Sequence, residues 1–426
     1  MAGQQAPGAG KQAASGFLEI KVPAALTFAG LVLGFVTGMV LQGTDLLAPV
    51  LKYGSLAGTL WLRALQLTIL PLVIGLVYTG ISQTLAAAGG GKLARRAVGL
   101  FLTVLLASAT MAALLVPGLL VAFPIPERAI AALSGGASAL SGGAGTVPGF
   151  AEVLLAMMPE NIFASAAAGA MLPIVLFVSV FAVAATRISE APSRQLGLFF
   201  EGLAGAMMVI VGWVLMLAPI GVFGLALPLA ASSGSDAIGA LAHYILVVSA
   251  AGFVVLLGGF LLAVVLGRQP LGAFARALVP VYAVAISTQS SLASLPAMLA
   301  AIRRLNLREA TSDFVLPLAV AIFRATSPAM NMGVAIYAAH LTGTPLSAWA
   351  LGAGALVAVL VSLSSVSLPG TLSFVVSVGP IANAMGVPIA PLALLVAVEM
   401  LPDIMRTLGN VTLDVAVTTA IDRSQD

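Results

Sequence analysis

The sequence predicts an all-α integral membrane protein, and three observations carry this prediction. Hydrophobic residues make up 60% of the 426-residue chain, whereas charged residues make up only 8%. The mean hydropathy is +1.13. Soluble domains carry about 25% charged residues, so this chain has too little charge to cover a surface in water. The third observation is a series of apolar runs, several of them longer than the roughly 20 residues that span a bilayer as a helix.

The apolar runs define the predicted membrane segments. They cover residues 22–42, 56–83, 97–123, 172–186, 202–229, 240–267, 311–341, 346–385 and 387–420. Basic residues cluster in the connections at Lys92–Arg96, Arg187–Arg194, Arg268–Arg276 and Arg303–Arg308. By the positive-inside rule these connections lie in the cytoplasm, together with a polar tail over residues 1–17 that is predicted to be disordered. We expect a multi-pass protein of the cell inner (plasma) membrane with a cytoplasmic N-terminus.

Composition also excludes several classes of protein. The chain has no cysteine and two histidines, which excludes disulfides and thiolate metal sites and argues against a histidine metal cluster. No nucleophile–base pair or metal set is visible, so an enzyme is not expected. The net charge of +3 forms no nucleic-acid footprint. The expected partners are the lipid bilayer and a small molecule, with no nucleic acid and no resident cofactor.

Two polar stretches interrupt the apolar pattern. Residues 277–302 lie between two basic clusters and are too few for two full crossings, which predicts a re-entrant hairpin with its tip in "STQSSLASLP", residues 287–296. A second interruption is "SLSSVSLPGTL", residues 362–372. Taken singly, each stretch could be an ordinary polar loop. Together they match the paired broken segments that mark a midplane substrate site in transporters.

The last apolar segment, "EMLPDIMRTLGNVTLDVAVTTAID" (residues 399–422), carries the clearest chemistry. Helical spacing places four polar side chains on one face: Asp403, Arg406, Asn410 and Asp414. An internally paired stripe that packs against other helices is the alternative, but charges inside a membrane are costly to keep for packing alone. An amino acid with an anionic side chain matches this face, because Asp403 can accept from an ammonium group and Arg406 can fork onto a carboxylate.

These motifs resemble the dicarboxylate/amino acid:cation symporter family, which includes archaeal aspartate and animal glutamate transporters. The resemblance is carried by the two hairpins ending in "LP" and "LPG", by "DxxRTxxNVxxD" in the last helix and by "LAPIGVF" at residues 217–223. It implies eight transmembrane helices and two re-entrant helical hairpins, at about 271–305 and 349–385. It also implies a homotrimer in which residues 18–91 and 124–230 form the scaffold. Residues 92–123 and 231–426 would form a transport domain that moves as an elevator.

The resemblance also assigns substrate contacts, position by position. They are Ser290 and Ser291 in the first hairpin, Leu368, Pro369 and Gly370 in the second, and Asp403, Arg406, Thr407 and Asn410 in the last helix.

The chain departs from the family in the seventh helix, where the family has an unwound Asn-Met-Asp-Gly-Thr that builds sodium sites. "NMGVA" at Asn331 looks similar, but the ungapped spacing between Pro296 and Pro369 places the motif on "FRATS", Phe323–Ser327. Using Asn331 instead would need eight extra residues before the motif. On this register Asn331 and its neighbour Met332 are ordinary helix residues.

The FRATS register removes oxygen donors and adds a charge. Ser327 keeps a hydroxyl for the substrate's side-chain carboxylate, whereas Phe323 and Ala325 supply no side-chain oxygen to a hard cation. In the third helix, Val104, Ala107 and Ser108 fall where the family has a tyrosine and a Thr-Ser pair.

Arg324 becomes a fixed cation, and its expected partner is Asp414, whose family counterpart is a sodium ligand. A structural or snorkelling arginine is the alternative. We expect sodium coupling to be reduced or lost.

The function predicted from these observations is secondary transport of an acidic amino acid, L-aspartate or L-glutamate. A proton is a candidate coupling ion, carried by Glu399, because burial disfavours a charged carboxylate; sodium is doubtful. Uncoupled exchange is a further possibility for the driving force. The alternatives are a C4-dicarboxylate transporter, a sodium-coupled symporter of the usual family type, and a non-transporting receptor or anion channel.

Overall fold

The computed structural model describes residues 24–126, 158, 160–168, 170–233, 236–364 and 370–425. These residues form sixteen helices, and no strand occurs among them, so the predicted all-α class is confirmed. The helices are α1 (Ala24–Val40), α2 (Leu47–Gly89), α3 (Lys92–Ala122), α4 (Ile162–Ala167), α5 (Met171–Ala185), α6 (Glu190–Met216), α7 (Ala218–Ser233), α8 (Asp236–Val265), α9 (Leu271–Thr288), α10 (Leu295–Arg304), α11 (Glu309–Ile322), α12 (Thr326–Thr342), α13 (Ala348–Ser364), α14 (Gly370–Ala384), α15 (Leu392–Leu395) and α16 (Met400–Arg423). The predicted disordered tail lies outside the described residues.

Six helical segments in the described part of the chain are long and apolar enough to cross a membrane. They are Leu47–Gly89, Lys92–Ala122, Glu190–Met216, Gly239–Val265, Leu271–Thr288 and Glu309–Thr342. Shorter apolar helices, such as Met171–Ala185 and Ala348–Leu363, pack among them. This is the architecture of a multi-pass membrane protein. The number of full crossings and the re-entrance of the hairpins stay predictions.

One group of helices consists of α1, α2, α5, α6 and α7, and its closest contact is between α1 and α7. Three glycines recur at every fourth position of α1, and each faces a backbone carbonyl group of α7. The pairs are Gly30 with Pro219, Gly34 with Phe223, and Gly38 with Leu227. Small residues at this spacing let two helix backbones approach closely, which is how membrane helices gain packing without a hydrophobic driving force.

The other helices pack around α16. Helix α8 lies along α16 and α12, α3 lies along α12, and α9 and α11 also contact α16. Two further pairs of helices, α9 with α10 and α13 with α14, contact each other within the ranges predicted for the two hairpins. The residues that connect α13 to α14, 365–369, lie outside the described part of the chain. Helices α13 and α14 also contact α2, which joins the two groups. The assignment of the groups to a static scaffold and a moving domain stays a prediction.

The helix that was expected to unwind is interrupted where the spacing argument placed the break. Helix α11 ends at Ile322 and α12 begins at Thr326. Between them Phe323 has an extended backbone (φ −111°, ψ 91°), and its ring stacks on Phe101 with 4.6 Å between the centroids. Asn331 lies inside α12, which is unbroken around it. The break therefore falls on FRATS.

The α1–α7 contact generates a stability prediction. A Cβ atom at Gly34 would lie 2.7 Å from the backbone oxygen of Phe223, an atom that cannot move without moving the helix. We expect Gly34→Ala to cost about 1–3 kcal/mol through overpacking and to lower the thermal midpoint of the purified protein. The matched control is Gly99→Ala in α3, where a Cβ atom meets nothing within 4 Å. The control should match the wild type or exceed it slightly; equal midpoints for both variants would contradict the close α1–α7 contact.

Candidate functional site

The site is built where the broken segment α11–α12 meets α16. Thr326, the first residue of α12, donates its backbone N–H to Asn410 Oδ1 at 3.0 Å and its hydroxyl to the Arg406 carbonyl oxygen at 2.7 Å. Its hydroxyl also contacts Asn410 Oδ1. The first N–H groups of a helix have no partner within the helix, so Asn410 caps α12 from a neighbouring helix. Gly409 leaves room for this approach, because a Cβ atom there would meet the Thr326 side chain.

Arg406 is the electrostatic centre of the site. Its Nη1 donates to Asp403 Oδ1 at 2.8 Å, and its Nη2 forms an ion pair with Glu399 Oε1 at 2.5 Å. Nη2 also donates to the Asn331 side-chain oxygen at 3.2 Å. Arg406 is only 3% exposed and Glu399 is fully buried. A buried guanidinium stays protonated, so the two carboxylates neutralise it and hold it in place.

Glu399 has a second support in Tyr244 of α8. The tyrosine hydroxyl donates to Glu399 Oε2 at 2.8 Å, and both side chains are fully buried. Glu399 therefore lies inside the protein beside Arg406 and does not face an open aqueous cavity.

Arg324 lies in the helix break and is only 7% exposed. Its guanidinium is attracted by Asp403 and Asp414 and repelled by Arg406. Both carboxylate oxygens of Asp414 are buried without a hydrogen-bond donor among the described residues. Arg324 is the charge that acts on Asp414, but within the described part of the chain the two form no direct ion pair. The expected partners thus interact through space and not by contact.

The turn between α9 and α10 comprises residues 289–294, which lie within the stretch 287–296 expected to form the tip of the first hairpin. Gln289 adopts a left-handed backbone (φ 50°), and its amide donates to the Met400 carbonyl oxygen at 3.3 Å. Ser290 is used within the turn, where its hydroxyl accepts from the backbone N–H of Ala293 at 3.2 Å. Ser291 is buried. The tip is therefore held against the beginning of α16.

The remaining predicted residues lie as follows. Thr407 is buried, and its hydroxyl donates to the Asp403 carbonyl oxygen at 3.0 Å. Ser327 is buried, and its hydroxyl has no hydrogen-bond partner among the described residues. Gly370 is the first residue of α14. Leu368 and Pro369 lie outside the described residues.

The break offers few oxygen ligands for sodium, although the family resemblance implies sodium sites there. Phe323 fills its position with a ring, and Ala325 has no side-chain oxygen. The Ala325 carbonyl oxygen accepts a hydrogen bond from Ser108 of α3 at 2.6 Å. Asp414 does supply two unpaired oxygens, but a hard cation needs several oxygens around it. This donor set does not fit a sodium site of the expected kind.

Two side chains of the site were missed or misjudged from the sequence. Asn331 was expected to be an ordinary helix residue, and it does lie within α12, but its amide contacts Arg406. A usable signal was its spacing, because it lies four residues after Ser327 on the same helix face. Tyr244 was missed because a tyrosine in an apolar helix carries no local motif; only the fold brings its hydroxyl to Glu399.

Comparison with known proteins agrees with this architecture. The model of the sodium:dicarboxylate symporter family matches residues 24–424. The chain is 28% identical over 391 residues to the proton/sodium-glutamate symport protein of Bacillus subtilis (strain 168), covering 90% of this chain and 88% of the relative. It is 26% identical over 364 residues to the proton/glutamate-aspartate symporter of Escherichia coli (strain K12), covering 84% and 82%.

A third relative is named for a different class of substrate. The C4-dicarboxylate transport protein 1 of Pseudomonas aeruginosa (strain UCBPP-PA14) is 26% identical over 271 residues, which cover 63% of this chain and 60% of the relative. All three relatives are transporters and not enzymes. The match of the family model over nearly the whole described fold is decisive for assignment. The chain belongs to the sodium:dicarboxylate symporter family.

Proposed function

We propose that this chain is a secondary transporter of an acidic amino acid, L-aspartate or L-glutamate, with reduced or absent sodium coupling. The observation that carries the proposal is the buried Arg406, held at 2.8 Å by Asp403 and at 2.5 Å by Glu399 beside a helix break. The two relatives named for glutamate transport support the substrate class. The localisation is a plasma membrane, as for a multi-pass bacterial transporter, with the N-terminus in the cytoplasm.

The side chains of the site take complementary roles toward an amino acid. Asp403 accepts from the substrate ammonium group, and Arg406 donates its unpaired Nε–H to the side-chain carboxylate, with Ser327 beside it. The proposed receptors of the α-carboxylate are backbone groups of the two hairpins, at Ser290 and Ser291 in the first and at residues 368–370 in the second. Thr407 and Asn410 complete the contact from α16.

Charge balance favours a coupled proton. The site contains two guanidinium groups, Arg324 and Arg406, against three buried carboxylates, Glu399, Asp403 and Asp414. One negative charge is thus in excess, and an acidic amino acid adds another. Moving net charge through a low-dielectric layer is costly, and a proton on Glu399 removes one negative charge. Glu399 has Tyr244 as a neutral hydrogen-bond partner, which can serve the protonated acid as well as the carboxylate.

Arg324 supplies a fixed positive charge at the break, where the family resemblance places mobile cations. It acts on Asp414 electrostatically without touching it. A positive charge that is part of the chain lowers the need for a bound ion at Asp414. This is the reason for proposing weaker sodium coupling.

The family resemblance implies an elevator movement and a homotrimer, and both are part of the proposal. The division of the helices supports the elevator movement, since α1, α2 and α5–α7 contact one another and α3, α8–α12 and α16 form a second group that carries the site.

Transport of plain C4-dicarboxylates is the second candidate, favoured by the third relative. Asp403 argues against it, because succinate offers this carboxylate no ammonium group. Competition between L-aspartate and succinate for the purified protein separates the two functions.

Sodium dependence is the first test. L-aspartate binding to the purified protein should persist when sodium is replaced by choline, because Arg324 remains in the site. The measurement is calorimetric titration at acidic and at neutral pH, with L-glutamate as a second ligand. Binding that requires sodium would contradict the proposal that Arg324 replaces a bound cation. The chain would then be a sodium-coupled symporter of the usual family type.

Arg324 is tested by two matched substitutions. It makes no side-chain hydrogen bond to the described residues, so its charge alone should matter, and Arg324→Lys should bind L-aspartate nearly as the wild type does. Arg324→Met leaves Asp414 without positive charge and should weaken binding by about tenfold or more. Adding Asp414→Asn to Arg324→Met should restore part of the loss. Equal affinities for the wild type and Arg324→Met would refute the electrostatic pairing.

Glu399 is tested by the pH dependence of uptake. Glu399→Gln keeps an acceptor for the Tyr244 hydroxyl and mimics the protonated acid, so uptake into proteoliposomes should lose its dependence on an imposed proton gradient. The control is Glu190→Gln, an exposed acid at the start of α6. A proton-driven uptake that survives in Glu399→Gln would place the coupling proton elsewhere.

A further inference from the structure

The orientation of the Asn331 amide is determined by its neighbour. Arg406 can only donate hydrogen bonds, so the Asn331 atom that lies 3.2 Å from Arg406 Nη2 is the side-chain oxygen. The amide nitrogen therefore points elsewhere as a donor. It is buried, and it has no hydrogen-bond partner among the described residues.

Two more buried donors without partners lie beside Asn331. Ser327 precedes it by four residues on the same face of α12, and its hydroxyl is unpaired in the described structure. Arg406, in contact with Asn331, has an unpaired Nε–H. The residues that carry these donors are 1%, 1% and 3% exposed for Ser327, Asn331 and Arg406. Native proteins rarely leave buried donors unpaired, so a cluster of three indicates the place of an absent acceptor.

The chemistry of the cluster specifies that acceptor. The Asn331 nitrogen and the Arg406 Nε can only donate, whereas the Ser327 hydroxyl can donate or accept. The other groups of Arg406 already contact Asp403 and Glu399. A carboxylate can accept from several donors at once and carries the charge that Arg406 attracts. A carboxamide fits less well, since its NH₂ group would face further donors.

We propose that Asn331 is a specificity-determining residue that donates a hydrogen bond from its side-chain nitrogen to the distal carboxylate of the substrate. This inference rests on the proposed transport of acidic amino acids and deepens it. Arg406 supplies positive charge and Ser327 supplies a hydroxyl. Asn331 discriminates between a distal carboxylate, which only accepts hydrogen bonds, and a distal carboxamide, which also donates them. Its own oxygen, bound to Arg406, keeps the amide in the donating orientation.

The test exchanges the donor for an acceptor. Asn331→Asp keeps the shape of the side chain but replaces NH₂ by a carboxylate oxygen, which repels a substrate carboxylate and accepts from a substrate amide. Binding of L-aspartate and L-asparagine is measured by competition on the purified full-length chain. We expect the affinity ratio of L-aspartate to L-asparagine to fall by at least about tenfold. Asn306→Asp, the same chemical change at an exposed position, is the control and should leave the ratio unchanged.

The other outcomes would refute either the role of Asn331 or the proposed function. An unchanged ratio, or equal weakening of both ligands, would show that Asn331 has a merely structural role. If Asn331→Asp does not yield folded protein, a structure of the wild type with L-aspartate decides instead: the proposal requires about 2.7–3.2 Å between the Asn331 nitrogen and the distal carboxylate. A separation that excludes a hydrogen bond would refute it. Failure of the wild type to bind any acidic amino acid would refute the proposed function itself.

Discussion

The rest of the site depends on one constraint: Arg406 must remain charged inside the protein. A guanidinium group cannot shed its proton, so its environment has to supply negative charge and hydrogen-bond acceptors. Asp403 of α16, Glu399 immediately before α16 and Asn331 of α12 do so. Tyr244 of α8 holds Glu399 in turn. The packing of α8 and α12 against α16 is thus tied to the chemistry of a single side chain.

The break between α11 and α12 positions the second buried positive charge, Arg324. A continuous helix across residues 323–325 would satisfy its own backbone and leave no free groups. The break instead leaves backbone groups without partners in their own helix, and side chains of neighbouring helices bind them. The Ser108 hydroxyl donates to the Ala325 carbonyl oxygen, and Asn410 Oδ1 accepts from the backbone N–H of Thr326. Side chains of neighbouring helices therefore satisfy backbone groups at the break. Arg324 can then contribute its charge from within the break.

Much of this could be predicted from the sequence, because the informative features are local. Composition predicted the class, and helical spacing predicted the shared face of Asp403 and Arg406. Counting residues between Pro296 and Pro369 predicted the break at FRATS. The contacts of Tyr244 and Asn331 could not be predicted, since they join positions 155 and 75 residues apart in the chain. The family resemblance named Asp414 as the expected partner of Arg324 but could not tell attraction through space from direct contact.

The bond from Gln289 to the Met400 carbonyl has a mechanical consequence. It joins the hairpin tip to α16 across 111 positions of the chain, at the residue next to Glu399. A displacement of the hairpin tip therefore acts on the first turn of α16, at the residue after Glu399. Because Glu399 holds Arg406, the position of the turn between α9 and α10 is linked to the position of the central guanidinium group.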